Sequence, residues 1–150
     1  MKTIRSWRWG LFMMVLLAGC SSAPSKYEAV AKIAFYNSSV NLKFEAGFVR
    51  AERFLVEVFG TLNVAEMRVL GGVNEEALTD KVKNQILRRL ITETSAAVVE
   101  NKRQVEIRFL HSDPVFAAQI ANKIASVYLS VKENQAYLAQ RATAPEAPVK

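Results

Sequence analysis

The chain holds a single cysteine and a single histidine in 150 residues. With Cys20 alone, no disulfide can form within the chain. His111 falls at a strand end beside a helix cap, and the sequence supplies it with no metal partner, nucleophile or orienting acid. The carboxylates are strung singly along polar faces, so no glycosidase-like pair emerges. A glycine loop of the kind that cradles phosphates is missing too. Long apolar runs are also lacking: Trp9 to Ala18 falls short of the roughly 20 residues that cross a bilayer. These gaps point to a non-enzyme with no cofactor and no metal.

What is present begins with that short apolar run. Lys2, Arg5 and Arg8 form a basic stretch before it, and Leu17-Ala18-Gly19-Cys20 closes it. Basic, apolar and small-residue segments in this order make a bacterial lipoprotein signal over residues 1–19. Small residues lie extended in the processing peptidase, and the thiol of Cys20 takes the diacylglycerol. A chance cysteine after an ordinary secretory signal, or an uncleaved anchor, is the competing reading. Three of the 20 Lys and Arg leave with the signal, so 17 bases face 14 acids, a net +3. So small an excess gives no reason to expect nucleic acid. About 130 residues remain, enough for one domain.

Residues 20–26 are the lipidated cysteine and a small polar linker. Ser21 follows the cysteine where an aspartate would hold a Gram-negative lipoprotein at the inner membrane. The expected location is therefore the cell envelope, facing the periplasm, with the outer membrane favoured and the inner membrane as alternative. From Tyr27 to about Tyr36 apolar residues alternate with polar ones and predict a strand. Phe44, Phe48, Ala51, Leu55, Val58, Phe59 and Leu62 then recur at helical spacing, predicting one helix that runs to Gly60. Lys43, Glu45, Arg50, Glu52, Arg53 and Glu57 form its polar face. Gly71-Gly72 breaks the chain, and Asn74 is read as the cap of a second helix. Glu75 and Glu76 lie at its positive end and Arg88-Arg89 at its negative end. Leu78, Val82, Ile86 and Leu90 line its apolar side. The segment Ile91–Val99 and the strand Arg103–Leu110 pair through Glu100-Asn101-Lys102 as an antiparallel hairpin.

The stretch that organises the rest is Val105–Tyr128. Val105, Ile107 and Phe109 alternate with charged residues as in a half-buried strand. Asp113 then caps a helix whose first position is Pro114, where the missing N–H costs nothing. Phe116, Ile120, Ile124, Val127, Val131 and Leu138 continue one apolar stripe along it. To about Arg141 this helix spans roughly 40 Å, longer than a small sheet can cover. Past the sheet, Val127, Val131, Tyr137 and Leu138 form a candidate oligomer seam. The alternative is that this stripe folds back on the first helix. The fold class is thus α+β: a small antiparallel sheet with helices on one face. Its order is β-α-α-β-β-α, and its C-terminal helix projects.

Ser112-Asp113-Pro114, Ala117-Ala118, Ala121-Asn122 and Tyr128 resemble the Wzz-type chain-length determinants, or polysaccharide copolymerases. In that family the last strand of a periplasmic domain turns through an Asp-Pro corner into a long helix of this pattern. Tyr27-Glu-Ala-Val-Ala-Lys-Ile is similar to its entry strand. The resemblance covers Tyr27 to about Pro148, with a domain at 27–141 and a Pro-containing disordered tail at 142–150. Both transmembrane helices of the family are lacking here, with the lipid signal standing in place of the first. It implies a lipid-anchored protein that self-associates and works with polymerase or export proteins on a surface polysaccharide, either lipopolysaccharide O-antigen or exopolysaccharide. The alternative is a small envelope lipoprotein acting as a protein-binding adaptor in an unrelated system.

One expectation is tested at the anchor. Since Cys20 is the only thiol, Cys20→Ala should leave an unprocessed or soluble precursor, read by detergent phase separation. Normal maturation of that variant would overturn the lipid reading.

Overall fold

The structure, a computed structural model, describes residues 26–74 and 78–143, with side chains through residue 136. The signal, Cys20, the linker up to Ser25, Glu75 and Glu76, and the tail from residue 144 lie outside the described residues. The elements run β1 (Tyr27–Ala34), α1 (Leu42–Arg50), α2 (Glu52–Gly60), α3 (Val64–Gly71), α4 (Asp80–Glu93), β2 (Thr94–Val99), β3 (Gln104–His111) and α5 (Pro114–Thr143). The fold is α+β, an open antiparallel sheet of order β1-β3-β2 with β3 in the middle.

The period-two pattern of β3 decides which face is covered. Val105, Ile107 and Phe109 are buried, while Glu106 and Arg108 between them point the other way. Ala31 and Ile33 of β1 join the buried side. There α5 lies over β1 and β3, and α1 packs on β2 and β3. On the open face Arg108 donates to Glu106 (2.9 Å) and lies 3.5 Å from Glu28, while Lys32 lies 3.6 Å from Glu106. Arg108 hydrogen bonding holds the Glu106 carboxyl below the usual carboxylate range, against the burial that works to raise it.

The helical part departs from the sequence reading in three places. The expected single helix is broken at Ala51, whose backbone is extended (φ −65°, ψ 131°). Ala51 ends α1 and starts α2 through its carbonyl, which accepts from Phe54 and Leu55. The bend exchanges the buried stripe: Val49, Phe54, Leu55 and Val58 are in the core, whereas Phe44 is 64% exposed. The segment before the glycine break forms α3, which was not expected and adds a helix to the order. Asn63 caps it by accepting from the Glu66 N–H (2.9 Å), and Glu66 accepts from the Asn63 N–H in return. Gly72 closes it with φ 66°, a left-handed value that glycine adopts without a side-chain clash.

The next helix begins at Asp80 with Thr79 as its cap, not at Asn74. It runs to Glu93, so Arg88-Arg89 are not in its last turn. Arg89 instead donates to the Leu70 carbonyl (2.6 Å) near the end of α3. An isolated turn at Glu100–Lys102 and Arg103 (φ 49°) join β2 to β3. Strain at Arg103 is offset by its guanidinium, which donates to the Asn37 carbonyl at 2.7 Å.

Candidate functional site

The chain leaves β3 and enters α5 through Ser112 and Asp113. Asp113 Oδ1 accepts from the N–H groups of Val115 (2.8 Å) and Phe116 (3.2 Å), and its carbonyl accepts from Ala117. This satisfies donors that a helix start leaves free. His111 is part of the same corner: its Nδ1 accepts from the Asp113 N–H at 3.0 Å. Its ring also lies against Phe116, centroids 4.7 Å apart.

The family-like residues divide by face. Ala117, Ala121 and Tyr128 are buried together with Phe116, Ile120 and Ile124. The small side chains of Ala117 and Ala121 let the helix axis settle close to the sheet. Ser112, Asp113, Pro114, Ala118 and Asn122 are exposed. The candidate seam divides as well. Val127 and Val131 are partly buried and pack against the core, so they are not a bare surface. Tyr137 and Leu138 belong to the helix, but their side chains lie outside the described part.

Two carboxylates that the sequence pattern did not single out fasten α5. Glu66 of α3 is 3% exposed. It accepts from Gln119 (3.0 Å) and Lys123 (2.5 Å) of α5. Lys123 also donates to the Thr61 carbonyl. Burial works to raise the Glu66 pKa, but the donors from Lys123, the Asn63 N–H and Gln119 outweigh it and hold the carboxyl below its ordinary value. Its signal was available: Asn63-x-x-Glu66 has the spacing of a capping box.

Glu45 of α1 makes the second attachment. It was assigned to the polar face, yet Tyr128 donates to its Oε2 at 2.8 Å and Lys132 Nζ lies 2.7 Å away. Tyr128 meets the rings of Phe35, Phe48 and Phe54 edge-on at 6.1 to 6.4 Å. Lys132 Nζ sits 4.9 Å from the Phe48 centroid and 5.7 Å from that of Phe44. Burial, then the Glu45 hydrogen bond and charge, push the Tyr128 phenol far above its ordinary pKa, so it remains a donor.

What these contacts do is position a helix. Three attachments, at Asp113, Glu66 and Glu45, hold one helix across the sheet and onto two other helices. Among the described residues, no three His, Cys, Asp or Glu stand together as a metal site, and no helix is long and apolar enough to cross a membrane. No protein-family model, curated protein or solved structure matches the chain.

Two outcomes follow. Asp113→Ala should cost about 1 kcal/mol, several degrees of melting temperature in a domain this size. An unshifted thermal melt would contradict the cap. For Glu66, a lowered folded pKa means stability present above the unfolded value of 4.5 and lost as pH falls through the folded one. Glu66→Gln should therefore be less stable than wild type at pH 7, with the difference closing below that value. Urea midpoints at a series of pH values measure it, and a pH-independent gap would refute the charge account.

Proposed function

We propose that this chain is a lipid-anchored, non-enzymatic protein of the bacterial envelope, similar to the chain-length determinants. In this reading it takes part in the assembly, length regulation or export of a surface polysaccharide. The observation that carries the proposal is the Ser112-Asp113-Pro114 corner, which turns the central strand directly into a helix of 30 residues. Along that helix, Ala117, Ala121 and Tyr128 are buried against the rest of the domain, together with Phe116, Ile120 and Ile124. These three are among the residues on which the resemblance rests; Ala118 and Asn122, which also belong to it, are exposed.

What such a geometry can do is hold a rigid arm at a set angle to an anchored domain. At 1.5 Å per residue the whole helix is about 45 Å long, and its part beyond Lys132 is the arm. Beyond Lys132, residues Glu133 to Ala136 are exposed. A polymerase or export protein would meet the domain along this arm, while acylated Cys20 holds the domain at the bilayer. The chemistry of chain growth would belong to that partner.

The reading is tested in source cells from which the chain has been removed. Surface polysaccharide resolved by length on a gel should change in modal length or amount and return when the wild-type chain is restored. Identical ladders with and without the chain would contradict it and favour an adaptor in an unrelated system.

A further inference from the structure

The outer edge of β1 presents a row of backbone groups whose direction can be worked out. The Phe35 N–H donates to the Arg103 carbonyl at 2.9 Å, on the β3 side. Backbone direction alternates along a strand, so Tyr27, Ala29, Ala31 and Ile33 also face β3. Glu28, Val30, Lys32 and Ala34 then direct their N–H and C=O groups away from the sheet. Their side chains lie on the open face. Val30 is 41% exposed, and the side chains of Glu28 and Lys32 are 45% and 55% exposed.

Natural sheets usually blunt such an edge with a bulge, a proline, a covering segment or charged side chains, and of these β1 carries only the charges of Glu28 and Lys32. Pairing of β1 with β3 runs unbroken over all eight residues, so it has no bulge. Its sequence, Tyr-Glu-Ala-Val-Ala-Lys-Ile-Ala, has no proline. Among the described residues it pairs with β3 alone and packs under α5 on the buried face only.

We infer that a second copy of this chain pairs with the outer edge of β1, antiparallel and about a two-fold axis at Val30. The argument is the charge pattern. Antiparallel pairing through the outward groups must set even-numbered residues opposite even-numbered ones. An axis at Glu28 opposes two carboxylates, and an axis at Lys32 opposes two ammonium groups. An axis at Ala29 sets Lys32 against Lys26 of the second copy, and an axis at Ala31 leaves both charges facing uncharged residues. With the axis at Val30, Glu28 faces Lys32 of the second copy, and Lys32 faces its Glu28. Opposite charges directly across a strand pair attract and like charges repel, so the sequence selects this register.

The pairing also extends a pattern already present. Lys32 lies across from Glu106, and Glu28 reaches Arg108. In the paired sheet Lys32 sits between Glu106 and the second copy's Glu28, so charge alternates across the joint. Strand order becomes β2-β3-β1 followed by its own reverse, a continuous sheet closed by symmetry. Such an interface is isologous and stops at the dimer. The inference stands apart from any role in polysaccharide assembly.

Cross-linking of the full chain in membranes tests it. In a hydrogen-bonded antiparallel pair the facing Cα atoms are about 5.5 Å apart, within the roughly 4.4 to 6.8 Å that a disulfide spans. Val30→Cys should therefore give an oxidised dimer on a non-reducing gel. Tyr36→Cys, 98% exposed but remote from the axis, should stay near the wild-type background. Adding Lys32→Glu to Val30→Cys should cut the dimer about tenfold, because two attractive pairs become repulsive. Adding Glu28→Lys as well should recover it, a rescue that misfolding cannot imitate. Val30→Pro removes only an outward N–H, so it should keep the melting curve yet sediment as a monomer in mild detergent. The inference is overturned if Val30→Cys cross-links no better than Tyr36→Cys. It is equally overturned if Lys32→Glu leaves the yield unchanged, or if Val30→Pro still sediments as a dimer.

Discussion

The turn from β3 into α5 is made within Ser112 and Asp113, and the rest of the domain is arranged around it. A central strand is paired on both sides and cannot shift without breaking two ladders. A helix joined to it through so short a corner inherits its direction. Asp113 makes the corner stable by giving the first helical N–H groups an acceptor. His111 adds a second brace by accepting from Asp113 itself. Pro114 contributes a backbone already set for the first helical turn.

A helix fixed at one end still needs to be held along its length. Apolar packing through Ala117, Ile120, Ala121 and Ile124 supplies closeness but little direction, since such contacts tolerate sliding. Glu66 and Glu45 supply direction. Each is a carboxylate withdrawn from water, a state that is unfavourable unless donors surround it. Those donors come from α5: Gln119 and Lys123 for Glu66, Tyr128 and Lys132 for Glu45. Sliding or rotating α5 would take these donors from both carboxylates and leave Glu66 only the Asn63 N–H. The attachments therefore select one placement of the helix, which is a different contribution from adding net stability.

How much could be read from the sequence depended on the range of the interaction. The strands and the Asp113 corner were legible because alternation and capping involve neighbours only. The break at Ala51 was not, because Ala51 is no helix breaker and the apolar spacing runs straight through it. It exists so that Val49 and Phe54 can reach one core, a requirement set by packing between elements. The helix Val64–Gly71 is too short for a clear period, although its capping box was written in Asn63 and Glu66. Glu45 read as a solvated charge because its partners, Tyr128 and Lys132, lie far along the chain. The two half-buried valines, Val127 and Val131, read as a free seam for the same reason: the core they pack against comes from elsewhere in the chain.

The claim that joins these points is that α5 is held as a rigid extension of β3 as far as Lys132. Amide hydrogen exchange along the helix tests it most directly. Helix amides from Ile120 to Tyr128 should exchange as slowly as those of Val105 to Phe109, with protection falling over Glu133 to Ala136. Exchange at Ile120 to Tyr128 that is as fast as in the short helix Val64–Gly71, while β3 stays protected, would contradict the account.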